Sequence, residues 1–162
     1  MKRLGVAVVV VGLVAGCSGV GEGPLGQGDG GVSMCMPLTK GQPDVTFGPD
    51  VLRNRGHEEA TVTGVSVVDA VGLRVVDALI VPVGLGDSLV GLKRGWAPRG
   101  QPAVGYAVAA DGKAHNLVLH LVRDDELAEE TGLRGVRVDY AVGERSYRMV
   151  FTTRLTLTST RC

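Results

Sequence analysis

The chain has 162 residues, room for one domain with appendages. Seventeen Lys and Arg balance seventeen Asp and Glu, which argues against nucleic acid as a partner, because its binders carry a net basic surface. A hydrophobic share of 44% excludes a disordered chain and a multi-span membrane protein, and the 25 glycines are the outlier.

Lys2 and Arg3 precede an apolar stretch over residues 4–15. A spanning helix needs roughly 20 apolar residues, so this stretch has instead the length of a signal-peptide core. It runs into Val14-Ala15-Gly16-Cys17, which resembles the lipobox of bacterial lipoproteins. The resemblance implies removal of residues 1–16 and diacylation (palmitate or a similar chain) of Cys17, the first residue of the mature chain. Two acyl chains hold stably where one is marginal. Loss of Lys2 and Arg3 leaves 15 − 17 = −2 charges, so there is no electrostatic reason to lie on an anionic bilayer. The predicted location is the outer, extracytoplasmic face of the cell membrane, with the lipid as the attachment.

Residues 17–34 are predicted as lipidated cysteine and flexible tether. Residues 18–33 read SGVGEGPLGQGDGGVS, with almost nothing to bury and a random-coil span of roughly 20–25 Å. Residues 21–26 and 26–31 both fit the spacing of a dinucleotide fingerprint, but that motif works only after a buried strand and at the start of a helix. Neither context exists here, and no cofactor is expected.

Setting Cys17 aside leaves Cys35 and Cys162. In an exported chain such a pair is most simply a disulfide. It would close residues 35–162 into one covalent loop. The rival is thiol or copper chemistry at Met34-Cys35-Met36, whose soft sulfurs suit that metal.

Between the cysteines the hydrophobic period is two. Asp44 to Phe47 reads as a short strand ended by Gly48-Pro49. Residues 60–68 and 73–81 are valine-rich strands divided by Asp69-Ala70-Val71-Gly72, with Pro82 closing the second. Asp111-Gly112 predicts a hairpin between residues 104–110 and the strand carrying Leu117, Leu119 and Leu121. Residues 124–131 are the only helical candidate. Val136, Val138, Tyr140 and Val142 alternate with polar residues, then turn at Gly143-Glu144-Arg145. Tyr147, Met149, Phe151, Thr153, Leu155 and Leu157 share one face of the returning strand. Seven or eight short strands predict a single all-β domain, an immunoglobulin-like β-sandwich, with a closed barrel as the alternative.

Catalytic signals are few. His57 follows a turn, and His115 and His120, five apart, fall on opposite faces of a strand. They cannot chelate one ion together, and no metal site is predicted. No Gly-x-Ser-x-Gly elbow or HExxH motif is present. The acidic run Asp124-Asp125-Glu126 with Glu129 and Glu130 lacks the spacing of an EF-hand loop and reads as solvated. The candidate binding segment is Lys93-Arg94-Gly95-Trp96-Ala97-Pro98-Arg99. It sets the single tryptophan among the three cations Lys93, Arg94 and Arg99, a composition common in binding hot spots. The competing and preferred expectation is that Trp96 folds back as a lid on the core.

Trp96-Ala97-Pro98-Arg99, Ala103-Val104-Gly105, Asn116-Leu117-Val118-Leu119 and Gly135-Val136-Arg137-Val138-Asp139-Tyr140, running on to Tyr147 and Cys162, together resemble a group of small exported proteins and lipoproteins of high-GC Gram-positive actinobacteria. The resemblance implies location and a β-rich fold, and no activity. The expected role is a non-enzymatic interaction or accessory module with another envelope protein as partner. The alternative is a carrier of a small ligand or of copper.

Overall fold

A computed structural model describes residues 23–27, 30–38, 44–83, 90–96, 99–125 and 128–162. Residues 1–16, expected to be a signal segment, with Cys17, Ala97 and Pro98, lie outside the described residues. The strands are β1 (Leu25–Gly26), β2 (Ser33–Pro37), β3 (Asp44–Gly48), β4 (Val51–Asn54), β5 (Ala60–Val68), β6 (Leu73–Pro82) and β7 (Gly91–Arg94). They continue as β8 (Gln101–Pro102), β9 (Ala107–Val108), β10 (Ala114–Arg123), β11 (Glu130–Leu133), β12 (Gly135–Val142), β13 (Arg145–Phe151) and β14 (Arg154–Thr158).

The long apolar strand β10 is the centre of one layer. One of its edges pairs with β6 along its whole length. The other pairs with β4 and then β3, which act as one strand broken at Pro49 and Asp50. Proline has no N–H for the ladder. Here its carbonyl is used instead, accepting from Thr153 Oγ1 at 2.8 Å. β1, β7 and β8 extend this layer outward from β4, β3 and β6.

The other layer holds β13-β12-β5-β9 and β11-β14-β2. β11 and β12 are separated only by Arg134, and β13 and β14 only by Thr152 and Thr153. The two pairs are thus one long hairpin, bent partway, whose halves recruit β5 and β2. Alternation decides which side faces inward: Phe151, Leu155 and Leu157 are buried while Arg148 and Arg154 are exposed. Phe47, Leu52, Ile80, Leu117, Leu119 and Leu121 from the first layer share one core with Val62, Val138, Tyr140, Phe151 and Leu157 from the second. The molecule is an all-β sandwich of immunoglobulin-like architecture. The expected seven or eight strands become fourteen among the described residues because bends and prolines divide them.

Three expectations are corrected. The described residues of 124–131 form no helix: β11 claims Glu130 and Thr131, and the Arg123 guanidinium bonds the Ala128 carbonyl. Asp111-Gly112 does turn, with Gly112 at φ +69°. It nevertheless makes no hairpin, because it joins β9 in one layer to β10 in the other.

The third correction concerns the tether. Its later part belongs to the domain, since β1 pairs with β4 and β2 lies parallel to β14. Leu25 is buried, and its N–H donates to Tyr140 Oη at 3.2 Å. A Cβ on Gly23 would stand 2.2 Å from that oxygen, so the close approach requires glycine. The folded unit therefore reaches back to Gly23 rather than starting at residue 35.

Cys35 and Cys162 are bonded, with Cα atoms 5.8 Å apart and 127 positions between them in sequence. β2 brings Cys35 beside Thr156 of β14, and the short run from β14 to Cys162 returns the second sulfur to it.

Candidate binding face around Trp96

β7 pairs with β3, setting Lys93 opposite Thr46 and Arg94 opposite Val45. Gly95 then turns the chain at φ +73°, a conformation that suits glycine. The turn is pinned twice: Gly95 N–H donates to the Asp44 carbonyl at 3.2 Å, and Thr46 Oγ1 donates to the Gly95 carbonyl at 2.5 Å. The next residue is thereby delivered onto β10. The indole of Trp96 stacks on the imidazole of His120, with centroids 4.7 Å apart and planes 6° from parallel.

His120 is held from its edge by Asp44, whose Oδ2 lies 3.0 Å from Nε2. The imidazole is thus oriented by a carboxylate and covered on one face by an aromatic ring. His120 alternates with the core residues Leu119 and Leu121, so the stack sits on the outer surface of its layer. Trp96 is half-buried and is not part of the hydrophobic core. That corrects the lid expectation. The Gly95 turn, rather than the ring's preference for the interior, decides where the indole goes.

Lys93, Arg94 and Arg99 are exposed. Arg94, opposite the core residue Val45, points to the other side of the layer and donates to the Pro37 carbonyl at 3.2 Å. The result is a flat aromatic patch with Lys93, opposite Thr46, on the same face, a surface suited to contact. Neither His115 nor His120 bonds a serine or a cysteine among the described residues.

The other predicted groups lie apart. His57 is exposed. His115 is buried, with Nδ1 3.3 Å from Tyr106 Oη and no partner for Nε2. Burial holds its pKa below the usual histidine value, while the nearby Asp111 carboxylate acts in the opposite sense. Met34 and Met36 pack against the core, and Cys35 is committed to its disulfide. Among the described residues no three His, Cys, Asp or Glu side chains converge as a metal would require. The Asp44–His120 pair escaped the sequence reading because its members are 76 positions apart and meet only through the β3–β10 register.

No family model matches the sequence, and no curated protein matches it. Among solved structures the chain is similar to the ASH/PapD-like domain 7 of human CEP192, with a TM-score of 0.44 and 11% identity. The alignment covers 99% of each chain. At that identity no residue role transfers.

Proposed function

We propose that this protein is an extracytoplasmic lipoprotein, anchored to the outer face of the cell membrane through Cys17, whose β-sandwich is a non-enzymatic interaction module. The observation that carries the reading is the Cys35–Cys162 disulfide. Such bonds persist in oxidising, extracytoplasmic compartments, and the chain opens with the charge, apolar length and Ala-Gly-Cys junction of a lipoprotein signal. The actinobacterial resemblance agrees with that location. The contact face in this reading is Trp96 with Lys93 beside it, and the partner is another envelope protein.

With the chain folded from Gly23, five residues of sequence separate Cys17 from the domain. The module would then act on partners close to the bilayer. Detergent-phase partitioning of the protein from its host tests the anchor. The wild-type protein is expected in the detergent phase, and the Cys17→Ser protein in the aqueous phase or unprocessed. A Cys17→Ser protein that still partitions like wild type overturns the lipobox reading.

The second reading is a small-ligand carrier. Its copper variant loses a ligand, because Cys35 is occupied by Cys162. Its organic-ligand variant keeps a cavity to work with.

A further inference from the structure

Where the long hairpin bends, the outer surface of β11 and β14 holds a cavity of about 270 Å³. Its floor is Gly132, whose backbone lies so close to the Leu155 carbonyl that a Cβ would stand 2.6 Å from the oxygen. Its side is Val71, 68% exposed and bridged to Gly132. Its two ends carry opposite charge.

At one end Arg134 and Arg154 occupy the register step after the Leu133–Leu155 pair. Two like charges facing each other across strands destabilise the pair, yet neither guanidinium has an ion pair or side-chain hydrogen bond among the described residues. Asp69 is close in register, since the preceding Val68 carbonyl accepts from Arg134 N–H at 2.9 Å. It lies beyond ion-pair distance of both arginines. This end therefore sums to +2 − 1 = +1. At the other end Glu130, four residues from Arg134 along the same face and also unpaired, supplies −1. Four strand residues span roughly 13 Å.

We infer that this cavity binds a small zwitterion, its carboxylate held by Arg134 and Arg154, its aliphatic middle against Val71 and its ammonium facing Glu130. Planar guanidinium groups match a carboxylate in bidentate fashion, and an anion between them removes their mutual repulsion. A bare anion would leave Glu130 unmatched, and a bare amine would leave the arginines so. The inference is independent of the membrane anchor and of the Trp96 face. Amine and carboxylate at this separation occur in ω-amino acids and in short peptides, and the two are distinguishable by probe.

Calorimetric titration of the full chain in detergent tests it, with 6-aminohexanoate and triglycine as probes. Saturable binding of at least one is expected, weakened at least tenfold by Arg154→Gln and by Glu130→Gln, each an exposed side chain whose loss does not lower the melting temperature. Acetate and butylamine, which present one charge each, should bind at least tenfold more weakly than the better probe. A preference for triglycine identifies a peptide ligand, and a preference for 6-aminohexanoate an aliphatic one. The inference is overturned by the absence of saturable binding at millimolar concentration, by binding indifferent to both variants, or by acetate binding as well as the zwitterions.

Discussion

Trp96 lies flat on His120, 4.7 Å between centroids, and the imidazole beneath it is bonded to Asp44. An outer-surface stack of this kind contributes less than a core aromatic. Stacked aromatic pairs give about 0.5–1.5 kcal/mol beyond their buried area, whereas emptying a core aromatic site costs about 3–5 kcal/mol. Trp96→Ala should therefore lower stability by about 1–2 kcal/mol in denaturant melts. Because Trp96 is the single tryptophan, its fluorescence reports this contact alone, and His120→Ala should make it more readily quenched by acrylamide. A loss above about 3 kcal/mol would restore the core-lid expectation.

The disulfide should dominate stability. Closing a loop across 127 positions is worth about 5 kcal/mol by the chain-entropy argument, a large part of what a domain of this size possesses. Reduction, or Cys35→Ser, is expected to lower the melting temperature steeply, with mass spectrometry showing the two added hydrogens on reduction. Unchanged melting after complete reduction would contradict this.

His115 predicts loss of stability in acid. Burial lowers its pKa in the folded state, so below the ordinary histidine pKa of about 6.5 the unfolded chain takes up a proton that the folded chain resists. Stability contributed by the neutral imidazole is fully present above that value and is lost as pH falls through the folded-state pKa. Comparing melts from pH 7.5 downward for the wild-type protein and His115→Gln isolates the effect, because carboxylate titrations are common to both. The variant should show the flatter acid limb. Parallel limbs would mean that His115 ionises without penalty.

Tyr140 fastens the first strand. Its hydroxyl accepts from Leu25 N–H at 3.2 Å, and Tyr140→Phe leaves that buried donor without an acceptor, a loss of about 1–3 kcal/mol. Since β1 is two residues long, the strand should open locally rather than unfold the domain. Hydrogen exchange at Leu25 should accelerate roughly tenfold or more while the β10 amides remain protected. Equal acceleration at both sites would show that β1 is not a separable unit.

Much of the sandwich was legible because its signal is local. The alternation around Leu117–Leu121 and along Tyr147–Leu157, the prolines at 49 and 82, and the cysteine pair each announce a strand, a break or a bond within a few residues. What escaped was non-local. Whether β5 and β6 share a sheet, or whether Asp111-Gly112 closes a hairpin, depends on which layer the next strand joins. The short turn sequence carries no record of that choice. The glycine-rich segment misled for a related reason: composition reads glycine as freedom, whereas Gly23 is there because Tyr140 leaves no space for a side chain. The candidate face around Trp96 was half legible. The cations and the indole announced themselves, but the stacking partner His120 and its Asp44 come from strands far away in sequence.

The covalent bond between Cys35 and Cys162 also fixes how the molecule carries mechanical load. Tension applied between the stretch preceding Cys35 and residue 162 loads β1 and the first residues of β2, and from Cys35 it crosses directly from sulfur to sulfur without entering the remaining ladders. Only residues before Cys35 can pay out as slack, and β1 would be the first strand to peel. A pull between the N-terminal side and the Trp96 segment takes a different path. It loads β7 against β3, where four paired residues bear it. Held from its N-terminal side, the domain is shielded from unravelling along the first direction and yields along the second.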